Sequence, residues 1–305
     1  MDEKAMGFNE SQLKRTGFAE AFTPELKSKM EQGVPVIQHE FKKNYEGDHV
    51  TANLHLKKSA TSDYYFLNKF DLQLQKEGRA DAVKQTFYIT SKKVAGNGED
   101  HEEQKAKQDV KYTLKEGYNL LDGRPVYKTL VSKEGNEYEA WNKLNFKNKL
   151  DNGNFEMKQY TKNYGFELEN VLSKYPIKEL ANEQYKQSLI DSLHRGNLQK
   201  ATFVGEGGKE ERLYISPNIT LGALNVYDQN KERIPTDKLV EQQYIGKELA
   251  EQLKQRVSQQ QKQEQKEKQD SPPTQGKEQK QQQAQKQKND QPEKKQKQSR
   301  KQKVH

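Results

Sequence analysis

The chain of 305 residues carries 53 Lys and Arg against 45 Asp and Glu, a formal charge of +8, and no Cys. Disulfides and thiolate metal sites are thereby excluded, which fits a reducing compartment, and no window approaches the ~20 apolar residues of a membrane helix. Residues 1–250 hold 38 basic and 38 acidic side chains and all 27 Phe, Tyr and Trp, whereas 251–305 hold 15 basic, 7 acidic and no aromatic side chains.

A stretch this polar cannot bury enough apolar surface to offset its chain entropy. The core must therefore come from roughly the first 240 residues, enough for two small cores. The folded part is net neutral, so the overall pI of 9.1 is no evidence that its surface binds nucleic acid. The polar, acidic start MDEKAMGFNE lacks the basic and apolar regions of a signal peptide, and a cytoplasmic protein is expected.

In chain order, residues 9–33 read as two short helices. Thr23 is placed to cap the second, Pro24 to open it and Gly33 to end it. The hydrophobic period then changes to two, through Val36–Phe41, through Val50, Ala52, Leu54 and Leu56, and through Tyr64, Phe66, Phe70, Leu72 and Leu74. Asn68 interrupts the third run, and Phe87 and Ile89 close a fourth. Turn residues at Glu46-Gly47-Asp48 and Gly78 separate the runs. The pattern predicts a four-stranded antiparallel sheet with one wet face and helices on the other. These elements define an N-terminal α+β domain, 1–90. The charged, Gly-containing stretch 91–112 is read as a linker.

A second α+β domain is expected over 113–235. Thr113 and Glu116 have capping-box spacing for a helix ending at Gly123. Strands are expected at 125–132, 137–147 and 154–160, the last reached through the hairpin signal Asp151-Asn152-Gly153. Helices follow near 166–174 and 183–195, with Gly196 as stop, then strands at 198–204, 210–215 and 222–227. A C-terminal helix is expected over 236–257, from the stripe Val240, Tyr244, Leu249, Leu253 and Val257. Residues 258–305 are read as a disordered Lys/Gln-rich tail. The fold class is thus α+β: two small domains with antiparallel sheets and short helices, a C-terminal helix and a disordered tail.

No motif in the chain specifies catalysis. GEGGKEE at 205–211 lacks Walker spacing and sits between two strands, so a hairpin turn is the expected reading. His49 and His55 are too far apart along a strand to share one ion without a third element. The acidic run Glu99–Glu103 lacks the Gly-punctuated alternation of a calcium loop. No GxSxG is present. No catalytic, cofactor or metal residue is assigned, and a non-enzymatic protein is expected.

The candidate binding residues are aromatic and basic. Tyr127, Trp141, Lys143, Lys147, Lys149, Lys158 and Tyr160 lie on neighbouring predicted strands, with Phe146 among them. Aromatics interleaved with Lys on a sheet can stack bases and neutralise phosphates. Trp141, Lys143, Asn145 and Lys147 share one parity, which would stand Trp141 among polar neighbours. Buried aromatics are the commoner case, so the favoured reading has Trp141 in the core and the lysines as the wet face, and an exposed Trp141 would favour binding instead. The tail is a second candidate for polyanions, or simply a solubilising appendage.

The segments GRPVYK, EYEAWNKLNF, NYGFELE and YPIKEL within 120–180, continued by YKQSLIDSLHRGNLQKATF and LNVYDQNKERI to residue 234, resemble an uncharacterised domain family of Bacteroidota. TANLHLKKSATSDYYFLNKFDLQLQ at 51–75 extends the likeness. Members of that family are encoded near conjugative-element and mobilisation genes. The resemblance implies an accessory role beside DNA-processing modules and carries over no catalytic residue. The sequence reading is therefore a non-enzymatic accessory protein of mobile-element DNA metabolism. Its partners would be DNA or RNA, met through the tail and the 127–160 sheet, or a mobile-element protein, with no membrane partner. A protein-interaction or scaffold module without nucleic-acid affinity is the alternative.

Overall fold

A computed structural model describes residues 2–89, 111–132 and 134–269, with side chains to 262. It is a mixed α+β fold built on three small antiparallel sheets. The described residues up to 254 pack as one unit.

Helix α1 (Glu3–Arg15) begins at Asp2, whose carboxylate accepts the Ala5 N–H at 2.7 Å. Helix α2 (Pro24–Glu31) has Thr23 as its side-chain cap and Pro24 at its first position, as the sequence predicts. Both cover one face of the sheet formed by β1 (Val36–Tyr45), β2 (Asp48–Lys58), β3 (Tyr65–Gln75) and β4 (Ala82–Tyr88), in the order β1-β2-β3-β4. Alternating residues Ile37, Phe41, Val50, Leu54, Leu72 and Leu74 point into this first core.

Asn68 is more than an interruption. Leu56 pairs with Leu67 and His55 with Lys69, so Asn68 is the extra residue of a β-bulge. A bulge reverses which parity faces the core. Before it the buried residues are Tyr65 and Leu67; after it they are Phe70, Leu72 and Leu74. Tyr64 and Phe66, expected on the core face, instead pack with Phe8 of α1, at ring separations of 4.6 and 5.6 Å. The edge of β3 here is covered by side chains of α1. Asn9 accepts the Tyr65 N–H, and Gln12 binds the Tyr65 carbonyl and the Leu67 N–H, at 2.8–3.0 Å. Edge backbone groups are thus satisfied by two buried amides instead of a further strand.

The linker expected at 91–112 lies largely outside the described residues, as does the acidic run at 99–103. At its end the Lys111 N–H donates to the Ile89 carbonyl at 3.0 Å, and Tyr112 is buried in the first core. Helix α3 (Leu114–Leu121) has the expected capping box of Thr113 and Glu116. The sequence assigns this helix to a second domain, but it packs on the first sheet. Gly117 is the reason it can come so close: a β-carbon there would lie 3.0 Å from Leu72 and 3.2 Å from Phe87.

The second sheet is β5 (Val126–Val131), β6 (Glu137–Lys149) and β7 (Phe155–Thr161), ordered β5-β6-β7. One of its faces, with Val126 and Leu144, belongs to the first core. The other carries Trp141 into a second core. That core is completed by α4 (Leu168–Leu172), α5 (Glu183–His194) and the third sheet, β8 (Gln199–Val204), β9 (Glu210–Asn218) and β10 (Ala223–Tyr227), ordered β10-β9-β8. GEGGK is a hairpin connection between β8 and β9, which pair antiparallel.

The expected single C-terminal helix is two. Helix α6 (Thr236–Glu241) and α7 (Lys247–Gln269) are separated by a turn in which Gln243 has φ 59°. The spacing of five between Tyr244 and Leu249 marks that break, since one unbroken helix repeats its face at three and four. Helix α7 also runs on to Gln269, so residues 258–269 are helical where a disordered tail was expected; residues 270–305 lie outside the described residues. No described helix is long and apolar enough to cross a membrane.

Candidate nucleic-acid interface on the second sheet

Cross-strand register places five of the seven candidate residues on one face. Trp141 stands opposite Tyr127 on β5 and Tyr160 on β7, and Lys143 stands opposite Lys158. Directly opposed residues share a face, and so do residues two apart along a strand.

The face is divided along its length. At one end Trp141 is 3 % exposed and closed over by the second core. Its ring meets Phe166 edge-on at 5.6 Å and His194 at 5.3 Å. It is a core residue and cannot stack on a base. Tyr127 is equally committed. Its ring stacks on His194 at 4.6 Å, and its hydroxyl donates to Glu139 at 3.0 Å. Burial, with Glu139 beside it, pushes the Tyr127 hydroxyl up to about 12. Burial likewise holds His194 below its ordinary pKa.

At the other end the face opens and is cationic. Lys143 is half-buried, and burial together with nearby Arg233 lowers its pKa. Lys158 is exposed opposite it. Among the described residues none of Lys143, Lys158 and Arg233 has a carboxylate within salt-bridge distance. The neighbouring acid, Glu156, is held by the amides of Asn145 at 2.8 Å and Asn148 at 3.1 Å, and those hydrogen bonds keep it below the usual carboxylate range. Beside this group Tyr160 packs edge-on against Tyr164 at 4.8 Å, and Tyr164 is 49 % exposed.

Lys147 and Lys149 do not join the face in the way parity suggests. Asn145 pairs with Glu156 and Lys149 with Phe155, so residues 146–148 are extra in β6. Phe146 swings out to 41 % exposure and packs on Phe155 at 5.0 Å. The Lys149 ammonium lies over the Phe155 ring at 5.6 Å. Lys147 lies within the bulge and Lys149 just past it, toward the hairpin tip.

Sequence reasoning missed Tyr164 and Arg233. Tyr164 belongs to a 3-10 turn just after β7, ended by Gly165 at φ 80°. That turn carries no alternation to mark it. Arg233 returns by an isolated bridge to Tyr227, a long-range placement that no local pattern encodes.

Elsewhere His49 and His55 have separate partners, and His39 is buried. His49 contacts Asn44 at 2.9 Å, and His55 contacts Asp71 at 2.6 Å. Among the described residues no group of three His, Asp or Glu is placed to hold a metal ion. Comparison with family models, characterised proteins and solved structures finds no match to this chain.

Proposed function

We propose that this protein binds single-stranded nucleic acid through the open end of the second sheet, as a non-enzymatic accessory of mobile-element DNA metabolism. The observation that carries the binding is Lys143 set directly opposite Lys158, with Arg233 near enough to lower the Lys143 pKa, and, among the described residues, no carboxylate within salt-bridge distance of any of the three. Like charges set directly opposite on a sheet are destabilising. A polyanion laid across them converts that repulsion into binding. Tyr164 supplies an exposed ring at the edge of the same patch, and ring-on-base stacking favours single strands over duplexes. The mobile-element setting rests on the family resemblance alone.

The test is a salt titration of binding to a short single-stranded oligonucleotide. The slope of log K against log salt is about −0.7 per single-strand phosphate neutralised. Replacing both lysines (K143Q/K158Q) should flatten the slope by about 1.4. Y164A should weaken binding by ~1–3 kcal/mol without changing the slope. If the double variant binds with the parental affinity and slope, the patch is not the interface. If the full chain binds no oligonucleotide at ~50 mM salt, where such contacts are strongest, the scaffold reading replaces this one.

A further inference from the structure

A second polar site lies where the first sheet, α3 and the third sheet meet. The β1–β2 turn, the end of β3, α3 and the segments 197–199 and 227–231 line an open cleft of about 640 Å³. Its charges pair off nearly completely. Arg124 and Lys76 both bind Asp122. Lys76 also approaches Asp48 at 4.0 Å, whose oxygens accept the Tyr118 hydroxyl at 3.0 Å and the Glu77 N–H at 3.1 Å. Lys231 pairs with Glu46 at 2.5 Å. Glu77, the remaining lining acid, is exposed.

Lys115 is left over. Its ammonium lies 4.2 Å from the centre of the Tyr45 ring and 4.4 Å from that of Tyr118, with the two rings 4.6 Å apart. Among the described residues it has no salt bridge. The rings fix the position of the charge through their negative faces but cannot neutralise it. Burial first, and the nearby Arg124 second, bring the Lys115 pKa down to about 8. Glu46 and Asp48 offset the effect of Arg124 and Lys231 in part, so the ammonium is above all short of solvation, which an anion in the cleft would relieve.

We infer that this cleft is a binding site for a small monocarboxylate, with Lys115 as the cation that receives it. The charge count fixes the class. Four lining cations, Lys76, Lys115, Arg124 and Lys231, face four lining acids, Glu46, Asp48, Glu77 and Asp122. Glu46, Glu77 and Lys231 are exposed at the rim, so inside the cleft Lys76, Lys115 and Arg124 face Asp48 and Asp122. A single negative charge balances that excess of one, whereas a dianion would be repelled by Asp48 and Asp122. The amides of Asn197, Gln199, Gln229 and Asn230 also line the cleft, so the body of the ligand should carry hydroxyl or other hydrogen-bonding groups. This inference does not depend on the nucleic-acid reading.

The experiment is NMR of the lysine ε-positions in the full chain, titrated with acetate, lactate and gluconate. Sodium chloride and inorganic phosphate at equal ionic strength are the comparators. The carboxylates should shift the Lys115 signal saturably and raise its titration midpoint, with gluconate binding more tightly than acetate. K115M should weaken binding at least tenfold, and K115R should retain part of it. Chloride reproducing the shift would reduce the effect to screening and overturn the site. Phosphate binding as tightly as the carboxylates would overturn the monoanion class. Equal binding by K115M and the parent would remove Lys115 from the site. The wild-type titration decides the matter even if K115M fails to fold.

Discussion

Replacing Trp141 with alanine is expected to lower stability by about 3–5 kcal/mol, the usual cost of a large buried aromatic, while leaving the oligonucleotide affinity of the folded fraction unchanged. The side chain is 3 % exposed and is held by Phe166 and His194. Truncation empties the junction between the second sheet and α5 and takes nothing from the cationic patch beyond it. Urea melts measure the first effect and oligonucleotide binding the second. A pH series gives an independent check. Burial keeps the folded His194 midpoint below its ordinary value, so the unfolded chain takes up that proton first. The contribution of His194 to stability is fully present above about pH 6.5. It is lost as pH falls from there through the lower, folded midpoint. Opening the Trp141 site to water should raise the folded midpoint, so the variant should lose less stability over that window. A loss of under ~1 kcal/mol at neutral pH, combined with weakened binding, would return Trp141 to the interface.

The places where sequence and structure part are local breaks of period. Each of the ten strands among the described residues is announced by alternation or by a turn signal, because one buried face imposes a period of two. An odd number of extra residues reverses that parity at no visible cost in composition. Asn68 does so in β3 and exchanges Tyr64 and Phe66 for Tyr65 and Leu67 in the core. Residues 146–148 do so in β6 and carry Lys147 off the face of Trp141. The break between α6 and α7 was written in the spacing of Tyr244 and Leu249, a five where a helix requires three or four. Partners distant in sequence are a different matter. Nothing local brings Arg233 to Lys143, or sets Lys115 between Tyr45 and Tyr118. Those placements follow from how three sheets and α3 pack. The candidate interface was therefore half legible: Lys143 and Lys158 could be found by register, but the burial of Trp141 depends on α4 and α5 covering one end of the sheet.

Loss of Arg124 should damage the fold as much as loss of Trp141, by a different route. Its side chain is 7 % exposed. Its guanidinium donates to the Gly196 carbonyl at 2.8 Å and to Asn119 at 2.7 Å, pairs with Asp122, and lies over the Tyr118 ring at 5.3 Å. Asn119 in turn donates to the Arg195 carbonyl at 2.7 Å and to Asn197 at 3.0 Å. The pair thus ties α3, which belongs to the first core, to the C-terminal end of α5, which belongs to the second. Gly196 is confined at the same point: with φ +77°, a β-carbon there would lie 2.8 Å from Val126 and 2.9 Å from the Pro125 carbonyl. Breaking a buried ion pair by removing one partner costs ~3–5 kcal/mol, because the other charge stays buried and unpaired. R124L should fall in that range, moderated by Lys76, which also binds Asp122. R124K keeps the charge but not the planar fork that reaches three acceptors, and should lie between the parent and R124L. D122N/R124L should be less destabilised than R124L alone, since no buried carboxylate is then stranded. Chemical denaturation of the four proteins gives these differences. Hydrogen exchange should locate the first loss at the amides of 195–198 and the last turn of α3. If R124L melted within ~1 kcal/mol of the parent, the junction between the two cores would have to be held by apolar packing, with the buried guanidinium contributing little.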